Sequence, residues 1–250
     1  MKYIRYEYQG ETSFGILEDG CVSKLSGNYI EGAKKVGEVI PVDKVTLLEP
    51  CIPGKIVGVG ANYKSFLDFK KREYPDHPRI FQKPKTAVIK SGDAIRLPDV
   101  SHEIHYEGEL AVVIGKKCSH VKSVDAKEYI FGYTCINDVT DETMFKEDVI
   151  WARGKGCDTF APIGPVVTDE LDPESAVLET RLNRQVVQHM NTADMYFHIP
   201  ILIEFISEYM TLEPGDIIAT GTPVGVGCLH PGDVVEVIIE GIGTLSNPVI

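Results

Sequence analysis

No stretch of this sequence stays apolar for the roughly 18 residues that suggest a membrane-crossing helix. Its opening, MKYIRYEYQG, lacks the apolar centre of a secretory leader. Both absences lead to the expectation of a cytoplasmic protein with no membrane partner. Cysteines are few and scattered. Cys21, Cys51, Cys118, Cys135, Cys157 and Cys228 include no C-x-x-C pair, which argues against a cysteine-built zinc site and for reduced, structural thiols. Basic residues are in the minority, 25 Lys and Arg against 37 Asp and Glu, for a formal net charge of −12. A surface of that sign repels phosphate backbones, so nucleic acid is not an expected partner. Helical patterns are sparse too, with Thr140 to Lys146 and Ile199 to Tyr209 the best, and this argues against a regular βαβ repeat.

What is present is a set of short apolar runs separated by Gly and Pro. At 43% hydrophobic residues, the 250-residue chain can bury a sizeable core. Residues 1 to about 50 read as a small β-rich N-terminal domain, with a strand at Tyr3 to Tyr8 and a hairpin turning at Asp19-Gly20. Residues 51–250 read as the main domain. Its expected strands include Leu110 to Ile114, Tyr129 to Ile136, Pro165 to Thr168, Ile217 to Thr220 and Val234 to Ile239, and a short helix is expected within Asn62 to Arg72. The expected class is α+β, β-dominated, with a rolled sheet or distorted β-barrel.

The most informative letters are His105-Tyr106-Glu107-Gly108-Glu109, which run directly into Leu-Ala-Val-Val-Ile-Gly. Side chains two apart in a strand share a face, so Glu107 and Glu109 should stand side by side, with His105 beside them. Carboxylates that close repel unless a cation or proton intervenes. A third acid, Asp138, follows the apolar run ending at Ile136 and Asn137. Three carboxylates without a thiolate make a hard oxygen site suited to Mg²⁺ or Mn²⁺. An exposed acidic strand end beside an unrelated acid explains the same letters.

Glycine-rich segments add two candidates. Thr220-Gly221-Thr222-Pro-Val-Gly225-Val-Gly227 offers close backbone N–H groups and hydroxyls to a small carboxylate, and it lacks the lysine of a nucleotide loop. A tight structural turn accounts for that spacing equally well. Arg153-Gly-Lys155-Gly-Cys-Asp158 places a lysine where it could stabilise an oxyanion, although a solvated lysine is the commoner outcome. Gly58-Val-Gly60-Ala-Asn62 follows a strand but has Tyr63 where a dinucleotide loop needs its third glycine.

Taken together, KIVGVGANY, YEGELAVVIGK, FGYTCINDVTDE, WARGKGCDTFAPIGP and PGDIIATGTPVGVG resemble the fumarylacetoacetate hydrolase family, in that family's order and over about residues 55 to 240. The resemblance implies a β-rich fold around a distorted barrel, and a homodimer. It implies Mg²⁺ or Mn²⁺ held by Glu107, Glu109 and Asp138, with Lys155 beside the metal and the substrate oxygen, and Gly221 and Thr222 binding the substrate carboxylate. The substrate it implies is a small 2-oxo acid, processed by C–C cleavage or decarboxylation through an enolate. Isomerisation or dehydration of dicarboxylic or sugar-derived 2-oxo acids is the enzymatic alternative. A non-catalytic, metal-stabilised binding protein is the other.

Two departures from the family pattern affect activity. Many members carry a water-activating His and Glu on a lid helix after the Asn-Tyr pair, where this chain has Phe66 and Phe69. Many also carry an Arg in a Ser-Ala-Arg string after the metal Asp, where this chain reads Thr140-Asp141-Glu142. Asp68, His77, His102 and His105 are the substitute bases that the sequence offers.

Overall fold

Short β-branched runs bounded by Gly and Pro become strands, and a computed structural model describes all residues, Met1 to Ile250. The largest sheet has 12 strands. It starts in an antiparallel meander of Lys2–Tyr8, Glu11–Glu18, Cys21–Leu25 and Lys35–Pro41. It continues through Ala161–Thr168, Ile130–Asn137, Gly108–Ile114, Ile217–Ala219 and Ile56–Gly60 to Arg79–Lys83. The N-terminal meander joins the rest by strand pairing, with Lys2 opposite Thr168 and Tyr3 opposite Val167. A three-stranded sheet (Thr140–Asp141, Ile104–Tyr106, Gly227–Cys228) and a four-stranded one (Gln185–Asn191, Val177–Leu182, Val234–Ile239, Gly243–Pro248) complete the β-structure. The β-dominated α+β class read from the sequence is therefore the one adopted, and none of the sheets closes into a barrel.

The strand Gly108–Ile114 is the structural axis. All seven residues are buried, because it lies between Ile130–Asn137 and Ile217–Ala219. Its side chains alternate between two cores, Leu110, Val112 and Ile114 in one and Ala111 and Val113 in the other, as the two-residue period requires. A strand buried on both faces has no polar face, which explains the uninterrupted apolar letters after Glu109.

Four helices are short apart from the last: α1 Lys64–Phe69, α2 Glu142–Glu147, α3 Ala152–Gly156 and α4 Ile199–Tyr209. In α4 the buried residues Ile199, Leu202, Ile203 and Ile206 fall on one face at helical spacing. No helix is long and apolar enough to cross a membrane. Several strands lie outside the sequence reading, among them Lys35–Pro41, Arg79–Lys83 and Gly243–Pro248, and two further elements show why. The hairpin Val177–Asn191 turns at Asn183 and Arg184, both at positive φ (51° and 70°), where glycine would have been the recognisable letter. Helix α3 holds two glycines in five residues, a composition that disfavours a helix.

Candidate active site

The acidic segment is not one strand. Ile104–Tyr106 belongs to the three-stranded sheet and Gly108–Ile114 to the large one, so Glu107 sits at the junction. Two backbone-directed bonds fix that junction. Glu107 N–H donates to Asn137 Oδ1 at 2.9 Å, and Asp138 N–H donates to the Glu107 carbonyl at 2.9 Å. Gly108 is required between the acids, because a Cβ there would lie 2.1 Å from Thr180 Oγ1. Glu107, Glu109 and Asp138 then present one carboxylate oxygen each, all within 4.8 Å of one another.

Two ammonium groups meet this cluster. Lys155 Nζ, on α3, lies 2.7 Å from Glu107 Oε2 and 2.6 Å from Asp138 Oδ2. Lys83 Nζ, fully buried at the inner end of Arg79–Lys83, lies 2.6 Å from Asp138 Oδ1 and 2.9 Å from the Val139 carbonyl. Burial opposes charge on every one of these groups, and their neighbours decide the outcome. Burial alone would lower Lys155, but the Asp138 and Glu107 carboxylates overcome it and hold its pKa well above the ordinary lysine value. Burial also opposes ionisation of Asp138, yet the two ammonium groups keep its pKa below normal. For Lys83, burial wins over Asp138 and the pKa falls.

Glu109 is the uncompensated member. Burial raises its pKa well above normal, the Asp138 and Glu107 charges add to this, and neither lysine pairs with it. Its polar contact is the Gly221 N–H, 2.8 Å from Oε2. Three hard carboxylate oxygens, one of them without a counter-cation, suit a divalent ion such as Mg²⁺ or Mn²⁺. Metal binding at this acidic site fits the residues present.

The loop after Ile217–Ala219 is built into this arrangement. Gly221 has φ +98°, and a Cβ there would meet Asn62 Cβ at 2.8 Å, so only glycine brings its N–H to Glu109. Thr222 Oγ1 donates to the Gly108 carbonyl at 2.9 Å and accepts from Gln188 Nε2 at 2.9 Å. Thr222 also lines the cavity above the carboxylates. Asn62 holds the neighbouring turn through its amide, to the Thr220 and Phe197 carbonyls at 2.8 and 3.0 Å. Gly58 packs under the Phe81 ring, so the first glycine of the dinucleotide-like string serves packing.

The cavity holds about 310 Å³. The three acids, Lys155, Phe66, Phe81, Phe145 and Trp151 are on its wall. Phe145 stacks on Trp151 at 4.7 Å between ring centroids, and Lys155 Nζ lies 4.6 Å from the centre of the Phe81 ring. Of the four substitute bases, His105 alone lines the cavity; half-burial lowers its pKa, leaving it neutral near pH 7. Asp68 accepts from the Tyr74 hydroxyl, His77 stacks on Phe205 and His102 bonds Asp141. Phe66 faces the cavity, whereas Phe69 is 67% exposed and off its wall. Lys83 escaped the sequence reading. Its letters, a lysine closing the mixed strand Arg-Ile-Phe-Gln-Lys, are those of an ordinary solvated strand end, so the sequence carried no signal for it.

Residues 55–250 match the family described as fumarylacetoacetate (FAA) hydrolase C-terminal, and residues 1–50 match Rv2993c-like, N-terminal. The oxaloacetate tautomerase YisK of Bacillus subtilis is 41% identical, over 78% of this chain and 69% of its own. The crystal structure of 2-hydroxyhepta-2,4-diene-1,7-dioate isomerase from Mycobacterium marinum is 39% identical, with a TM-score of 0.93 over 100% of this chain and 98% of its own. Maleylpyruvate hydrolase from Sphingobium sp. SYK-6, in complex with manganese(II) and pyruvate, is 29% identical, with a TM-score of 0.83 over 100% and 99%. Relatives of this likeness include tautomerases, isomerases and hydrolases, and one holds manganese, so the chain belongs to the fumarylacetoacetate hydrolase family.

Proposed function

We propose that the protein is a divalent-metal-dependent enzyme that moves protons on, or decarboxylates, a small 2-oxo acid through its enolate. The carrying observation is a wall of three carboxylates and Lys155 with phenylalanine at the one lid position that faces the cavity. Mg²⁺ or Mn²⁺ held by Glu107, Glu109 and Asp138 would supply Lewis-acid polarisation of the 2-oxo acid. Lys155 brings a permanent positive charge to the substrate oxygen on which negative charge grows. Thr222 lines the same wall, and with its hydroxyl hydrogen committed to the Gly108 carbonyl its backbone N–H is left to meet the 2-oxo acid carboxylate, while the Gly221 N–H holds Glu109 in place. Phe66, Phe81 and the stacked Phe145–Trp151 pair exclude water. Hydrolytic C–C cleavage needs a water deprotonated beside the carbonyl, and Phe66 has no group to do this. Tautomerisation and decarboxylation need only a proton taken or returned, for which neutral His105 is placed.

The reading is tested with oxaloacetate and an acylpyruvate side by side, with Mg²⁺, with Mn²⁺ and after chelation. Tautomerisation or decarboxylation of oxaloacetate is expected to exceed acylpyruvate hydrolysis and to vanish with the metal. Efficient acylpyruvate hydrolysis by the unmodified protein overturns it. The metal assignment has its own test, since Glu109→Gln is expected to abolish tight Mn²⁺ binding by calorimetry, and unchanged affinity refutes the assignment. A cytoplasmic homodimer belongs to the same proposal, its assembly to be measured by light scattering.

A further inference from the structure

The strand Gln185–Asn191 inverts the usual burial of side chains. Its one buried residue is polar: Gln188 is 1% exposed, while the apolar Val186, two letters earlier, is 53% exposed. Residues two apart in a regular strand share a face. Here a bulge separates them, because Gln188 pairs with Thr180 and Val186 with Arg181, which leaves Val187 as the extra residue. A strand that served packing alone would bury the valine and expose the glutamine. The bulge does the reverse and aims an amide at the loop that carries Thr222.

Both ends of that amide are engaged. Gln188 Oε1 accepts from the Gly108 N–H at 3.1 Å, and Nε2 donates to Thr222 Oγ1 at 2.9 Å and to the Pro223 carbonyl at 3.0 Å. Thr222 Oγ1 donates in turn to the Gly108 carbonyl. The three residues therefore close a ring of hydrogen bonds, from the Gly108 N–H through Gln188 and Thr222 back to the Gly108 carbonyl. An amide NH₂ only donates and a carbonyl only accepts, so the ring runs in one direction. Gly108 stands between Glu107 and Glu109, 80 residues before Gln188, and Thr222 stands 34 residues after it. The Thr222 N–H donates to no protein group, although the residue is buried and lines the cavity. Gly225 tightens the contact: its φ is +107°, and a Cβ there would lie 2.1 Å from the carbonyl oxygen of the bulged Val187.

Resting on the 2-oxo acid reading above, we propose that Gln188 is a positioning residue, which fixes the Thr222 N–H relative to the metal-binding acids. It acts through Gly108 on the backbone that carries Glu107 and Glu109, and through Thr222 and Pro223 on the loop. The cation and the substrate carboxylate are thereby held at one spacing. The four-stranded sheet contributes no residue to the cavity wall, yet through Gln188 it sets the geometry of the site.

Calorimetry with Mn²⁺, and with oxalate on the Mn²⁺-loaded protein, tests this without turnover. Oxalate stands in for the chelating end of a 2-oxo acid. Gln188→Met keeps the length of the side chain and removes every hydrogen bond of the amide. It is expected to weaken oxalate binding roughly tenfold or more, the scale of a buried hydrogen bond left unmade, and Mn²⁺ binding by less. Gln188→Glu makes the ring titratable. A protonated carboxyl offers an acceptor and a donor as the amide does, whereas the ionised form has no donor for Thr222 or Pro223. The oxalate affinity of Gln188→Glu, relative to that of the unmodified protein, is therefore expected to fall as pH rises, and that of Gln188→Met to show no such trend. Unchanged oxalate affinity in Gln188→Met, or a relative affinity of Gln188→Glu that does not move with pH, overturns the proposal and leaves the 2-oxo acid reading standing. Loss of folding in both variants, read from urea denaturation, also overturns it and assigns Gln188 to the core. Failure of the unmodified, Mn²⁺-loaded protein to bind oxalate overturns both.

Discussion

The floor and the rim of the cavity are built by opposite rules. On the floor, Glu109, Asp138, Lys83 and Lys155 are all buried, and each is held by a strand, a backbone bond or a neighbouring charge. At the rim, Lys70, Arg72 and Arg79 are exposed and unpaired, and two of them follow a helix of six residues. Burial makes each floor charge dependent on its partners, since a lone charge out of water is costly. Exposure frees the rim from that constraint, so its residues can vary without unfolding the chain. General chemistry belongs on the rigid floor and substrate choice on the variable edge. This fits a family whose named members include a tautomerase, an isomerase and a hydrolase.

The sharpest break between the two regions is expected in stability. Lys83→Met leaves Asp138 with one ammonium in place of two, inside a site that excludes water. Removing one partner of a buried pair costs about 3–5 kcal/mol, to be read from urea denaturation. Arg79→Gln at the rim should stay within about 0.5 kcal/mol. Similar losses for both would erase the distinction.

Next in size is the loss of function at Lys155. Lys155→Met is expected to lower kcat by roughly a hundredfold, as for an oxyanion donor, with a much smaller change in Mn²⁺ affinity by calorimetry. Full turnover in this variant would remove Lys155 from the chemistry.

A smaller gain is expected at the rim. Phe66→His puts an imidazole on the cavity wall, while position 69 points away from it. Without the second member of a dyad, acylpyruvate hydrolysis should rise by about tenfold at most. No rise at all would mean that water is kept out by more than Phe66.

The smallest effect concerns the turn beneath α2. His102 Nδ1 lies 2.7 Å from Asp141 Oδ2, and this hydrogen bond, with the Asp141 charge, raises the histidine's pKa above 6.5. Asp141 also caps α2 through the Met144 N–H. Because the folded pKa is the higher one, the contribution to stability is complete below about pH 6.5 and is lost as pH rises through the raised value. NMR titration of His102 should show the upward shift, and His102→Gln should flatten the slight fall in stability over that interval. A His102 that titrates at or below 6.5 would contradict the pairing.

The sequence by itself determined the β-dominated class, the strand and hairpin within the first 25 residues, the buried strand after Glu109 and the family. Those features are written in local patterns, because apolar period, turn letters and motif order require no knowledge of distant partners. It also supplied Glu107, Glu109, Asp138 and Lys155 as candidates, and the folded chain brings their polar ends together. Only the tertiary structure decided that Glu107 sits between two sheets, that Lys83 joins the cluster from 55 residues away, and that Phe69 faces outward while Phe66 faces in. It also separated His105 from His77 and His102, three histidines that are alike as letters. The reason is physical: ionic and packing contacts form between groups close in space, and the crossovers that bring Arg79–Lys83 and Ala152–Gly156 to the carboxylates leave no periodicity in the chain to announce them.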